Sequence, residues 1–411
     1  MSKLTGLKDH RQIGQELDLF SFNELAPGAV LWYPKGWTIY RLLQDFIRQM
    51  LSQEGYLEIS TPVMVKSDLF KESGHWDFYN ENMFNLKVDK ENYSLKPMNC
   101  PEASLIYKTK TRSYQDLPIR FSEFGILHRN ELSGVLGGLF RVRQFTIDDA
   151  HHFVRPNQIQ DEIHKLILLV VDFYKQLNFM PEFYFATKPD KAMGDPKLWE
   201  KAENDLEIAL KNAKVKYGMK EKDGAFYGPK IDIHIKDSLN RDWQLATIQL
   251  DFQIPERLKL EYIDADGKAK RPVIIHRAIT GSLERFIAIL TEHYQGAFPL
   301  WLSPVQSVII PVADRHAEYA SSIVEAIKLE GVRAELDDRK ETVSSKIRDA
   351  TLQKVPYIGI IGDREVKSSK LKVKSYEDRL ISIRTRGGKD LGQLRLSQFL
   401  NKLKEEIDKK I

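Results

Sequence analysis

The sequence predicts an α+β protein followed by a smaller, separate α/β unit, on three observations. At 411 residues the chain exceeds what one hydrophobic core comfortably holds, so two domains are expected. Up to about residue 303, runs with strand character return antiparallel between long amphipathic helices, the pattern of an antiparallel sheet flanked by helices. After the segment AFPLWLSP (297 to 304) strands and helices alternate, which implies parallel pairing in a second unit. The expected boundaries are 1–303 and 304–411.

The elements follow in order. A polar lead-in and turns at Ala26-Pro27-Gly28 and Tyr33-Pro34-Lys35-Gly36 precede a helix over 37 to 53, where Ile39, Leu42, Leu43, Phe46, Ile47 and Met50 recur at helical spacing. Gly55 ends it, and a strand over 56 to 60 closes at Thr61-Pro62. Strands are expected near 83 to 88 and 93 to 95, and a helix runs from Cys100-Pro101 to about Tyr107, with the proline near its first turn. A strand over 119 to 124, a loop holding Gly134, Gly137 and Gly138, and a return over 140 to 154 form an antiparallel pair. Helices over 157 to 177 and 195 to 213 come next, then strands over 224 to 235, 243 to 252 and 271 to 277, the last entering a helix through Thr280-Gly281-Ser282. In the second unit strands at 305 to 311, 333 to 336 and 357 to 361 alternate with helices at 316 to 330 and 343 to 354. The Lys/Arg-rich segments 364 to 374 and 384 to 395 read as solvated surface able to meet phosphates.

Composition narrows the class. Hydrophobic residues make up 42% and charged residues 29%, as in ordinary soluble proteins. A single cysteine excludes an intrachain disulfide, which favours a reducing compartment. No apolar run approaches the roughly 20 residues that span a bilayer, and the first residues lack a signal-peptide core, so a cytoplasmic protein is expected. The net charge of +4 is compatible with a polyanionic partner.

Two patterns carry chemistry. Period-two alternation along the returning strand puts Arg141, Arg143, Phe145, Ile147, Asp149 and His151 on one face. Two guanidiniums beside an aromatic ring suit a nucleobase next to phosphates, whereas a buried structural face would leave such charges costly. The second pattern is Cys100 itself. A lone cysteine is ordinarily a small buried hydrophobe, but this one lies between Asn99 and Pro101 in a run with turn character. Thiolate with imidazoles would suit zinc with a coordination position left open.

The strings KPMNCP (96 to 101), FGILHRNE (124 to 131), RVRQFTIDDAH (141 to 151), FYGPKIDI (226 to 233), QLDF (249 to 252) and HRAITGSLERF (276 to 286) resemble the class II aminoacyl-tRNA synthetases, in their threonine-charging branch. The resemblance implies a two-step reaction: L-threonine and ATP give threonyl-adenylate, and the acyl group passes to the 3′ end of tRNA(Thr). It also implies a zinc ion on Cys100, His151 and His276 that recognises the amino and hydroxyl groups of threonine, and Mg²⁺ with the ATP. For ATP it implies Arg129, Glu131, Arg141, Phe145, Gln244, Thr247 and Arg285, with Phe145 and Arg285 either side of adenine and Lys230 on a phosphate. For threonine it implies Asp149, Tyr227, Gln249, Met98 and Ser282, and for the transfer step His75. Gln244 and Gln249 have opposite strand parity although both match site positions, which predicts a bulge near Leu245 and Ala246.

The second unit resembles an anticodon-binding domain, with Arg348, Glu365 and Arg384 at anticodon contacts and about eleven additional residues near 371 to 381. Departures from the family pattern are Lys340 for Asn, Glu102-Ala103 for Gly-His, Gly137 for His and Ile147 for Gln. The helix over 37 to 53 with its strand resembles the segment that builds a twofold homodimer. These two units account for residues 1–411, which leaves no expected editing domain. A proline-charging relative would have no reason to combine Cys100, His151, His276 and Asp149, and a non-catalytic tRNA- or ATP-binding paralogue would tend to lose Arg129 or Arg285.

Overall fold

A computed structural model describes residues 6–237, 240–370 and 376–410. The chain gathers into two compact units: one comprises Phe22–Val30 and Gln44–Ile289, the other the residues up to Ser21, Leu31–Leu43 and those from Leu290 on.

The first unit is built on an eight-stranded sheet. Its spatial order is Tyr217–Lys220, Glu182–Ala186, Lys230–Lys236, Asp242–Asp251, Val273–Ser282, Gln144–Val154, Ile119–His128 and Leu57–Glu58. The inner six strands pair antiparallel, and the pairs at the two margins are parallel. Glu182–Ala186 and Tyr217–Lys220 are strands that periodicity did not reveal, because five and four residues are too few to establish a period of two. The helix Ile159–Gln176 buries Ile159, Ile163, Leu166, Ile167, Val170, Phe173 and Tyr174, the apolar stripe legible in the sequence. Phe173 stacks on Phe46 with ring centroids 5.6 Å apart, and Tyr174 donates to the carbonyl of Ile279 at 2.6 Å.

The return strand corrects an expectation. It begins at Gln144, not near residue 140, and its partner runs on to His128. The Arg143 carbonyl still accepts from Arg129 N at 2.8 Å, in register with the ladder, but the Arg143 N–H donates to Gly28 O at 2.7 Å, so strand pairing ends there. Arg143 then turns from the expected face, its guanidinium held by Glu131 O at 2.9 Å and Ser133 Oγ at 3.1 Å.

The opposite face of the same strand is not empty structural filler. Asp148, fully buried, accepts from Arg277 Nη1 at 3.0 Å, Ile279 N at 2.9 Å, Thr280 N at 2.9 Å and Thr280 Oγ1 at 2.7 Å. Arg277 is also fully buried and lies 5.2 Å over the Tyr56 ring.

The second unit holds a five-stranded sheet in the order Ala334–Leu336, Ser307–Pro311, Tyr357–Ile361, Leu380–Thr385 and Asp390–Arg395. The first three strands are parallel as expected, and the last two are antiparallel additions. Segments read from the sequence as basic surface therefore contain structure, the helix Asp363–Lys370 and much of that hairpin, and the helix Leu396–Asp408 beyond them was not expected. Leu396, Phe399, Leu400 and Leu403 join the core with Ile381 and Ile383, which short strands of mixed charge concealed. Of the additional segment near 371 to 381, residues 371–375 lie outside the described residues.

Removing one partner of a buried pair leaves an uncompensated charge, so Asp148→Ala should lower unfolding free energy by about 3–5 kcal/mol. Chemical denaturation of the variant beside the parent chain measures it.

Candidate active site

Register builds the front of the sheet. His151 and His276 are direct cross-strand partners, and their rings meet edge-on with centroids 5.0 Å apart. Cys100 starts the helix Cys100–Lys108, with Pro101 in its first turn, and is 3% exposed. Among the described residues one group of metal-ligating side chains emerges, Cys100, His151 and His276, with ligand atoms all within 4.8 Å of one another.

The donor set fits a zinc ion. One sulfur and two imidazoles are ordinary zinc ligands, and three of them leave a position open. Asp251 Oδ2 sits 3.0 Å from His276 Nε2, which leaves Nδ1 for a metal and supplies the carboxylate–imidazole support usual around metal-bound histidine. Burial pushes the Cys100 thiol up, with Asp149, Glu102 and Asp251 adding to it, and burial pushes His151 down, with His276 adding. A cation would therefore meet a neutral imidazole at His151 and displace the Cys100 thiol proton.

The run from Lys96 to Cys100 is clamped over the sheet at several points. The buried Lys96 ammonium donates to Thr61 Oγ1 at 2.7 Å and to Glu123 Oε1 at 3.0 Å, while Lys96 O accepts from His128 N at 3.0 Å. Pro97 O accepts from Arg129 Nε at 3.4 Å. Asn99 Nδ2 donates to Asp149 Oδ2 at 3.0 Å, and that oxygen lies 3.9 Å from His151 Nε2. Burial raises the Asp149 carboxyl, against the lowering effect of Asn99 and the charge of His276. Tyr227 packs 5.1 Å from the His276 ring and donates its hydroxyl to Gln249 Oε1, whose amide donates to Thr247 Oγ1 at 3.0 Å. Met98 packs on the same cluster as Cys100.

A cavity of about 290 Å³ adjoins these residues. Its lining includes Arg129, Glu131, Arg141, Phe145, Gln244, Thr247, Ser282 and Arg285, so all seven expected ATP residues share one wall system. Arg129 lies 5.0 Å over the Phe145 ring and 5.6 Å over Tyr79, Glu131 pairs with Arg141 at 2.8 Å, and Arg285 Nε donates to Phe140 O at 2.9 Å. Burial lowers the Arg285 guanidinium, and the charges of Arg129 and Arg141 lower it further, so an anion is the natural occupant. The expected bulge is present: Ile233 pairs with Ala246 and His234 with Gln244, which leaves Leu245 as the extra residue. Gln244 and Gln249 thereby both reach the site despite their parity. Gly281, at φ 65°, sits where the Val273–Ser282 strand loses register, 3.0 Å in Cβ terms from the carbonyl of Leu245.

Other expected residues fall elsewhere. Lys230 does not line the cavity; its ammonium pairs with Asp232 at 2.7 Å and Asp223 at 3.7 Å. His75 is fully buried, with Nδ1 2.9 Å from Ser73 Oγ and Nε2 3.2 Å from Cys100 Sγ, and burial pushes it down to about 3. In the second unit Arg348 and Arg384 are exposed, whereas Glu365 is buried and accepts from Gly362 N at 2.9 Å, Ser382 Oγ at 2.8 Å and Gln393 Nε2 at 2.9 Å. Asn99, Asp251 and Phe140 were not singled out from the sequence. For Asp251 a signal existed, since it shares strand parity with Gln249 in QLDF. Glu102, one of the family departures, is buried with neither oxygen hydrogen-bonded, and burial raises it to about 8.

Residues 84–294 match the family model described as tRNA synthetase class II core domain (G, H, P, S and T), and residues 306–406 match the anticodon binding domain. The chain is 50% identical over 400 residues to the threonine–tRNA ligase of Caldanaerobacter subterraneus subsp. tengcongensis, covering 97% of this chain and 61% of that protein. It is 50% identical over 403 residues to the threonine–tRNA ligase of Carboxydothermus hydrogenoformans, covering 98% and 62%. It thus spans about three-fifths of the length of the curated relatives it matches. Among solved structures it resembles the RNA binding domain of threonyl-tRNA synthetase from Cryptosporidium parvum Iowa II at TM-score 0.92 and 40% identity, covering 97% of this chain and 98% of that one. A putative threonyl-tRNA synthetase from Aeropyrum pernix matches at TM-score 0.81 and 27% identity, covering 98% and 97%. With a core-domain match over half its length and that 40% identical structural relative, the chain belongs to the class II tRNA synthetases of the G, H, P, S and T group.

Proposed function

We propose that the chain is a threonine–tRNA ligase that activates L-threonine with ATP and transfers it to the 3′ end of tRNA(Thr). One adjacency carries the proposal: a Cys/His/His cluster with Asp149, Tyr227 and Gln249 opens beside a cavity lined by Arg129, Arg141 and Arg285. An amino acid and a polyphosphate held in these two places would have carboxylate and α-phosphate as neighbours.

The arginines carry the activation step. Displacement at phosphorus needs charge stabilisation and alignment more than covalent help. Arg129, between the cavity and Pro97 O, is assigned the α-phosphate and the attacking carboxylate and Arg141 the γ-phosphate; Lys230, which lies outside the cavity lining and pairs with Asp232, is assigned a further phosphate. Phe145 and Arg285 are assigned the adenine faces and Glu131 its amino group; Mg²⁺ accompanies the ATP. Cys100, His151 and His276 would hold zinc, which when bound supplies a Lewis-acidic position for the amino and hydroxyl groups of threonine. Asp149 accepts the hydroxyl proton, with Tyr227 and Gln249 near the amino group and Met98 and Ser282 shaping the pocket. His75, the imidazole beside this cluster that the ligand set leaves over, is assigned the proton transfer of the second step.

The remaining assignments rest on placement. The proposed boundary between catalytic and anticodon-binding domains is 303/304, with the residues from Leu290 on already grouped with the second unit, and Arg348, Arg384 and Glu365 are assigned to the anticodon. Glu365, saturated by three donors, orients that site more than it exposes a free carboxylate. Leu57, 58% exposed on the edge strand Leu57–Glu58, supports the twofold homodimer. No helix among the described residues is long and apolar enough to cross a membrane, and the cytoplasm is the proposed location.

Threonine-dependent ATP–pyrophosphate exchange tests the assignment; exchange with proline alone, or none with any amino acid, overturns it. Purified chain should hold about one zinc per molecule, and Cys100→Ala should abolish both the metal, by elemental analysis, and threonine-dependent exchange. Arg285→Ala should lower exchange roughly 100-fold or more while leaving zinc content unchanged. Serine, which keeps the hydroxyl, should be activated only about 10- to 200-fold less efficiently than threonine, while valine, lacking it, should be rejected far more strongly. Competition assays in the same exchange format measure both ratios.

A further inference from the structure

Asp149 is the carboxylate assigned to the threonine hydroxyl, yet it lies close to the metal ligands and must present one oxygen outward. What aims it is not a charge. Asp149 accepts from Asn99 Nδ2 at 3.0 Å, and an ionised carboxylate can only accept, so the amide must turn its NH₂ toward it. The other end of that amide, Asn99 Oδ1, is buried without a hydrogen-bond partner. Among the described residues the bond to Asp149 is therefore the only hydrogen bond that orients the side chain, and packing must supply the rest.

Packing comes from Gly125. A Cβ added there would meet Asn99 Oδ1 at 2.2 Å, Nδ2 at 2.4 Å and Cγ at 2.5 Å, so the amide lies flat on the bare backbone of the neighbouring strand. Gly125 pairs with Ile147, and Glu123 with Asp149, which puts Gly125 and Asp149 on one face two residues apart along adjacent strands. The Asn99 amide crosses that gap. Gly125 has no positive φ, so its lack of a side chain serves this close approach and not a turn.

We infer that Asn99, seated on Gly125, is a positioning residue that aims Asp149 and thereby sets the threonine preference of the site, an inference that rests on the proposed threonine-activating function. With Oδ2 engaged by Asn99, Oδ1 is the oxygen left for the substrate hydroxyl. Without that bond the carboxylate is free to rotate toward His151, 3.9 Å away, and the hydroxyl loses its acceptor.

The test uses five chains: parent, Asn99→Ala, Asn99→Asp, Gly125→Ala and the Asn99→Ala/Gly125→Ala double variant. Threonine binding is read by calorimetry, KM values for threonine and ATP by exchange, and zinc by elemental analysis. Asn99→Asp keeps the shape and removes the donor, placing two carboxylates together. Loss of a hydrogen bond to a charged group should raise the threonine Kd and KM about 10- to 100-fold in each single variant. ATP KM and zinc content should stay within about twofold of the parent. Gly125→Ala should act only by displacing the amide, so the double variant should be no worse than Asn99→Ala. Single variants that bind threonine within twofold of a threonine-binding parent overturn the inference alone, as does a double variant whose losses multiply. A parent that binds no threonine overturns the proposed function and this inference with it.

Discussion

The buried ion pair of Asp148 and Arg277 holds the register on which the site depends. It joins two neighbouring inner strands from the back of the sheet, where Asp148 also takes two backbone N–H groups and a hydroxyl of the segment 279 to 280. A slip of one residue would turn every side chain of a strand to the other face. His151 would then leave His276, and Asp149 would leave the front. A buried pair of this kind is costly to desolvate, and its contribution here is better understood as specificity of register than as net stability.

On the front face two carboxylates opposite one another take different partners. Glu123 meets the ammonium of Lys96, which neutralises it and anchors the start of the run. Asp149 takes the neutral amide of Asn99 on Oδ2, which leaves Oδ1 for another donor. The same short run therefore carries an anchor at Lys96, the amide of Asn99 bonded to Asp149 and the buried thiol of Cys100 beside two imidazoles, while Pro97 O ties it to Arg129 at the cavity. This is how the Cys100, His151 and His276 group and a cationic cavity come to be neighbours: one run touches both.

In the smaller unit the physics is simpler. Its parallel strands bury continuous apolar runs, as Ser307–Pro311 does at all five positions, and such runs are conspicuous. Its added hairpin alternates burial with charge, and Glu365 under it is a structural acceptor for Gly362, Ser382 and Gln393.

Read alone, the sequence determined that there are two units, the long helices and most of the inner strands, since helical spacing and strand alternation are local signals, and the motif strings singled out Cys100, His151 and His276, which the fold brings together. Even the bulge at Leu245 followed from parity, because Gln244 and Gln249 cannot share a face without it. Short marginal strands and the start of the return strand were not legible, because the Arg143 N–H is taken by Gly28 O, far away in sequence. Nor was the role of Asn99, Asp251 or Gly125. A hydrogen bond between residues 50 apart, or a glycine needed only because a distant amide lies against it, leaves no periodic trace; only the folded sheet brings those partners within reach.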